Sequence, residues 1–321
     1  MDFFQYFFRY YWQLVYMICL MLYITMYILI YNFTGKTLQT VKYFLYPSCT
    51  AMLIAMTMAF ATQTRNIDNT HSMALLCDGF CKYIGPTFCF YCYNLYTAFG
   101  IVVNLINLHT MYYRTLCLKY LDAKKVRLWT LVFMWHYLCP LIYLIVIITS
   151  PQRHLEVSME TLSLHPNFDY TPYLTFGGFS QAQKELLDKA AMSLSLISMY
   201  YPLIGTYWKH KAMKMLKSHM SPNTSDATRA MLQTLIKGLN FQILLPMLRY
   251  IPLTAIYFMI KYTGEQFLIS QYTITVLGTI PCILDPLVQI YFIRDAIRKF
   301  LACNSSPVRR IYDSWASRMI I

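Results

Sequence analysis

The sequence predicts an all-α membrane protein, a bundle of seven transmembrane helices with its N-terminus outside and its C-terminus inside. Three observations predict it. Apolar residues make up 57% of the 321 and charged residues only 13%, against roughly 45–50% and ~25% in soluble domains. The apolar residues gather into seven runs of about twenty or more, the length that crosses a ~30 Å hydrocarbon layer as helix. Lys and Arg collect in alternate connections, and that bias orients the bundle.

The runs are 11–31, 43–62, 84–113, 128–149, 186–208, 231–260 and 267–292. The first lacks a basic leader and an Ala-x-Ala-like cleavage site, so it is expected to be an uncleaved span rather than a removed signal. The third and sixth are long enough to tilt or to extend past the bilayer. Tyr and Trp crowd the run ends, at Tyr11, Trp12, Tyr31, Tyr43, Trp129, Trp208 and Tyr262, as an aromatic belt at the headgroup level does.

Eighteen Lys and Arg fall on one side of this arrangement, among them Arg114, Lys124, Lys125, Arg127, Lys209, Lys211 and Arg298. Seven fall on the other: Arg9, Arg65, Lys82, Arg153, Lys184, Lys189 and Lys261. The richer side is cytoplasmic. The acids lean the opposite way, and the sequons at Asn32, Asn223 and Asn304 lie on the cytoplasmic side, where glycosylation cannot use them. Residues 1–301 are therefore expected to form the seven-span transmembrane domain and 302–321 a cytoplasmic tail. The longest connection, 150–185, lies outside. Beyond the last span, 294–301 alternates charged and apolar residues and fits a short amphipathic helix on the inner leaflet.

The formal charge of +13 does not point to nucleic acid, because the basic residues flank apolar runs instead of forming a patch on a soluble face. Of ten cysteines, Cys19, Cys49, Cys89, Cys92, Cys139 and Cys282 lie in apolar runs as small hydrophobes. Cys77 and Cys81 sit in a polar outer segment, where they either pair across Asp78-Gly79-Phe80 or remain free. No Cys/His spacing of a zinc site appears, and no metal or cofactor is expected. There is no HExxH, nucleophile elbow, P-loop or Gly-rich fingerprint, so no enzyme is expected. The seventh run has no lysine for a retinal Schiff base.

Prolines interrupt the later spans at Pro140, Pro202, Pro246 and Pro286, where kinks can act as hinges. Asp285-Pro286 in the last span, with Tyr291 after it, resembles the Asn/Asp-Pro-x-x-Tyr motif of rhodopsin-like receptors, although Gln289 stands at the motif's tyrosine position. A buried carboxylate there requires a polar partner. Tyr112-Tyr113-Arg114 stands where those receptors carry Asp-Arg-Tyr, without the acid. Arg114 is either a G-protein contact or a snorkelling anchor. The clamp such receptors make between the third span and the long outer loop is missing, since 150–185 holds no cysteine.

The segments Cys81-Lys-Tyr-Ile-Gly-Pro86, His165-Pro166, Met220-Ser-Pro-Asn-Thr224, Gln242-Ile-Leu-Leu-Pro246, Ile280-Pro281 and Asp285-Pro286 with Tyr291-Phe292 follow one another in an order that resembles the nematode serpentine receptor class delta family. That resemblance implies a G-protein-coupled chemoreceptor in the plasma or ciliary membrane of sensory neurons. Its partners would be a lipid bilayer, a heterotrimeric G protein and an unknown extracellular small molecule or peptide. A bundle core is where a ligand pocket is expected. Candidates are Phe90, Asn94 and Thr97 at i, i+4 and i+7 on the third span, with Tyr257 and Tyr272 on the sixth and seventh; each is also readable as a packing residue. Arg249, deeper in the sixth span, is a further ionisable candidate. The switch would involve Tyr113, Arg114, Pro246, Asp285, Pro286 and Tyr291. The alternative is a channel or transporter subunit, which needs a polar stripe, and only Lys237, Arg249 and Asp285 are available for one.

Overall fold

Hydrocarbon offers no partner to a backbone amide, so a chain crossing it closes its hydrogen bonds within each segment. The computed structural model describes residues 3–33, 39–120, 123–189, 203–208, 210–211, 214, 241, 245, 248, 251–256, 258–260, 262–263 and 268–303. Among them, four helices are long and apolar enough to cross a membrane: Tyr6–Tyr31, Lys42–Thr62, Pro86–Tyr113 and Lys124–Thr149. They coincide with the first four apolar runs. In the fifth and sixth runs the described residues, 186–189, 203–208, 241, 245, 248, 251–256 and 258–260, are helical, and the remainder lies outside the described residues.

Helix α1 is Phe3–Phe33, α2 is Gln39–Thr62 and α3 is Pro86–Lys119. The fourth crossing is built from α4, Ala123–Phe133, a 3₁₀ turn over Met134–Tyr137, and α5, Leu138–Thr149. The last helix runs without a break from Leu268 to Cys303. It therefore absorbs 294–301, which was expected as a separate helix on the membrane surface. No Gly or Pro follows Pro286 in this stretch, so nothing in the backbone requires a turn there.

α1, α2, α3 and the last helix enclose one core containing Trp12, Tyr23, Met26, Met56 and Cys282. Ala51, Ala55 and Ala59 are buried on one face of α2, and side chains this small let helix backbones approach closely. The hydroxyl of Tyr23 donates to Cys282 O at 3.1 Å, and Tyr11 and Thr279 hydroxyls meet at 2.6 Å, so α1 is tied to the last helix by polar contacts. Thr57 and Thr110 return their hydroxyls to the carbonyls of Leu53 and Ile106 four residues back, which satisfies them without a neighbour. The outward stripe of α1 is Leu14, Met17, Met21, Ile24 and Ile28. An exposed apolar band of this extent is tolerable only against lipid.

At one end of the bundle the structure departs from the all-α expectation. Gln63, with φ 43°, turns the chain out of α2 into β1, Thr64–Asp68. β2, Met73–Cys77, and β3, Gly177–Phe179, complete an antiparallel sheet in the order β1-β2-β3. Asn66 faces Leu75, and Ala74 faces Gly178. The long connection is folded rather than irregular: α6, His154–Leu164, packs on this sheet through Val157, and Tyr173 joins the same cluster. Backbone amides beyond the hydrocarbon may pair between strands, and this end does so.

Glycine at 178 is required by proximity, because a Cβ there would stand 2.0 Å from the carbonyl oxygen of Met73. Gly178→Ala should destabilise this end by about 1–3 kcal/mol through loss of the β2–β3 pairing. Hydrogen exchange of amides 73–77 should accelerate while α1 and α2 stay protected; unchanged exchange would contradict this account.

Candidate functional site

Most of the residues expected to form a pocket are described, and they form two groups. Phe90 is buried, its ring 4.8 Å from Phe179 of β3 and 5.5 Å from His154. Asn94, also buried, accepts from the Tyr143 hydroxyl of α5 at 2.7 Å and donates to Phe90 O at 2.8 Å. Thr97 donates to Tyr93 O at 3.1 Å. Tyr272 instead stacks on Phe8 of α1 at 4.3 Å between ring centroids. Tyr257 lies outside the described residues.

The two groups are joined by a residue that sequence reasoning counted only as an outer-loop charge. Arg65 of β1 is 3% exposed. Its Nε donates to Oε1 of Gln271 at 2.7 Å, and its guanidinium carbon lies 4.8 Å from the Phe168 ring and 5.4 Å from that of Tyr272. The next residue, Asn66, donates to the Tyr93 hydroxyl at 3.3 Å. β1 thus carries one side chain to the last helix and its neighbour to α3. The available sequence signal was a lone arginine between polar residues directly after a span.

Of the two alternatives for Cys77 and Cys81, pairing with each other or remaining free, the first is not what forms. Cys81 is bonded to Cys89, with Cα atoms 5.1 Å apart, and Cys77 is a free, buried thiol. The 3₁₀ turn Phe80–Tyr83 and the start of α3 at Pro86 bring residue 81 over the first turn of the helix. Cys77 sits on the neighbouring strand, with its sulfur within 4.8 Å of the other two. Burial pushes its thiol up to about 12, so it carries little thiolate at neutral pH and is poorly nucleophilic.

Deeper in the bundle, Asp285 is buried and has the partner that its cost demands. Gln289 Nε2 donates to Asp285 Oδ2 at 2.8 Å. The residue at the motif's tyrosine position therefore holds the carboxyl directly. Asp285 Oδ1 has no hydrogen-bond partner among the described residues, and it opens on a small cavity shared with Asn104, Asn107 and Pro281. Tyr291 is 65% exposed and stands on the outer side of the last helix. The two-residue offset from the motif rotates it by roughly 200° around the helix. Tyr113 packs on Phe44 at 5.2 Å. Arg114 lies on α3, and Pro246 and Arg249 lie outside the described residues.

The family model for the serpentine type 7TM GPCR chemoreceptor Srd matches residues 8–300. The chain belongs to that family. Serpentine receptor class delta-59 of Caenorhabditis elegans is 30% identical over 257 residues, covering 80% of this chain and 78% of that protein. Serpentine receptor class delta-51 of the same organism is 26% identical over 257 residues, covering 80% and 75%. No solved structure matches. The family is a receptor class, not an enzyme family, and its members are multi-pass membrane proteins.

His154 supplies a pH test of the sheet end. Burial against Phe90 and Gly177 lowers its pKa, and its Nδ1 accepts from the Gly178 amide at 3.3 Å. An unfolded histidine titrates near ~6.5, so the unfolded state takes up the proton first as pH falls. The stabilisation is complete above about 6.5 and is lost on descending toward the folded value. Local stability of 73–77 and 154–164, read by hydrogen exchange, should fall between about pH 7 and pH 5, and His154→Gln should flatten the profile.

Proposed function

We propose that this chain is a chemosensory G-protein-coupled receptor that crosses the membrane seven times, with the sheet end outside and residues 302–321 in a cytoplasmic tail. The family match across residues 8–300 carries this reading. The orientation is supported by the excess of Lys and Arg in the opposite connections. It is also supported by the Cys81–Cys89 disulfide, which belongs to an oxidising compartment. The seven crossings are supported by the three further apolar runs at 186–208, 231–260 and 267–292. The site of action is the plasma or ciliary membrane of a sensory neuron.

A small-molecule or peptide cue enters beneath the sheet, among Phe90, Asn94, Thr97 and Tyr272, and Tyr257 of the sixth run is a further contact. It acts by binding one packing of the bundle better than another. The faces carrying Tyr113 and Arg114, and the basic connection at 209–217, engage a heterotrimeric G protein. Pro246 and Pro286 are the hinges, and Asp285 is the polar group whose partners change between packings.

Nucleotide exchange on a co-expressed Gα in membranes holding the full-length receptor tests this reading. Exchange should rise with extracts containing the cue. Removing the partner of a buried polar group costs about 1–3 kcal/mol, an about 5- to 150-fold shift of a two-state equilibrium. Gln289→Ala should therefore change basal exchange by about fivefold or more, whereas Tyr291→Ala should leave it unchanged. The reverse pattern, or no exchange with any extract, would contradict the proposal.

A further inference from the structure

Arg65 is a cation buried at the mouth of the bundle, and among the described residues no carboxylate pairs with it. Five described acids of this end have other partners. Asp68 pairs with Lys184, Asp78 with Lys82 and Glu156 with Arg153, and among the described residues these three ion pairs leave Arg65 out. Asp169 Oδ1 accepts from the Thr171 amide, and Glu160 Oε1 accepts from the His71 amide. What the guanidinium does have is two neutral partners, the Gln271 amide oxygen and the Tyr272 hydroxyl, and the ring faces of Phe168 and Tyr272. Ring faces attract a cation weakly, and two neutral acceptors leave most of its five donors without a charged one. A buried charge without a counter-ion is costly unless pairing or further hydrogen bonds offset it, and a ligand can supply both.

The surroundings fit a particular ligand. The guanidinium fork matches two oxygens of a carboxylate or sulfate. Beside it, Phe168, Tyr272 and the stacked Phe8 provide apolar surface for the rest of a small organic molecule. Phe168 belongs to the connection between α6 and β3 and is only half-buried, so it forms the outer wall of the site. Tyr170 of the same connection feels the Arg65 charge.

We propose that Arg65 is the anion-recognising residue of the receptor, and that the cue is a small organic oxyanion with an apolar body lying against Phe168 and Tyr272. This rests on the reading that the sheet end faces outside and receives the cue. It also explains why β1 is tied to the last helix through Arg65: an anion drawn to Arg65 pulls on Gln271 and Tyr272, two adjacent residues of the helix that carries Asp285.

The full-length receptor in phosphatidylcholine nanodiscs tests this without any G protein. Thermal unfolding is followed with hexanoate, benzoate or hexyl sulfate at constant ionic strength, and with hexanamide, benzamide or hexanol as neutral counterparts. A ligand that binds only the folded state raises the unfolding temperature in a concentration-dependent way. At least one of the anions should do so, its neutral counterpart should not, and carboxylate against sulfate shows which oxyanion is preferred. Arg65→Gln should abolish the shift. It should unfold, without ligand, no earlier than the parent, because it removes an uncompensated charge and keeps a hydrogen-bonding side chain. Arg65→Lys should keep the shift with about tenfold weaker binding, since the fork geometry is lost. An absence of any anion effect, or a shift of equal size in Arg65→Gln, overturns the proposal. So does a ligand-free Arg65→Gln receptor destabilised as much as Gln271→Ala, which would make Arg65 a structural staple. A failed nucleotide-exchange assay beside a clear anion shift would remove the coupling reading and leave this one standing.

Discussion

The want of hydrogen-bond partners in hydrocarbon shapes everything between the two ends of this chain. It makes each crossing a helix, and it turns polar side chains back upon their own helices, as Thr57, Thr97 and Thr110 return to carbonyls four residues earlier. It also lets α1 expose Leu14, Met21 and Ile28 on one face while burying Trp12, Tyr23 and Met26 on the other. Deep in the bundle, Asp285 is held by Gln289 through one carboxyl oxygen, while the other has no partner among the described residues. Among the described residues, strands appear where the constraint ends, at the sheet.

That boundary also separates what was legible in the sequence from what was not. Run length identified the four described crossings to within a few residues, because twenty apolar residues in a row have few other uses in a folded chain. The sheet left no comparable trace. Thr64–Asp68 and Met73–Cys77 are five residues each and are buried on nearly every side, so the alternation that announces a strand is missing. Gly177-Gly178 was visible as a pair, but its meaning depends on a carbonyl a hundred residues earlier. The Cys81–Cys89 bond was hidden because Cys89 reads as part of an apolar helix.

The candidate residues divide the same way. Phe90 and Asn94 follow from helical spacing, and both are buried. Arg65 does not follow from spacing, because its partners Phe168 and Gln271 come from two distant parts of the chain. The motif comparison at the last helix was informative through its mismatch. Gln289 replaces a tyrosine and supplies the hydrogen bond that the buried carboxyl needs, while Tyr291, two residues on, has turned to the outer face. One helix spans both regions, carrying Gln271 and Tyr272 near the sheet and Asp285 and Gln289 in the core.

The central claim is that the sheet end faces outside and the opposite connections face the cytoplasm. Glycosylation mapping tests it most directly. Asp169→Thr makes Asn167, an exposed residue of the sheet end, a glycan acceptor; Asp122→Asn with Lys124→Thr makes an acceptor in the connection between α3 and α4. Expression in microsomes should yield a glycan on the first variant and none on the second, with Asn32, Asn223 and Asn304 unmodified in both. A glycan on the second variant, with none on the first, would invert the receptor and remove the basis for placing the cue at Arg65.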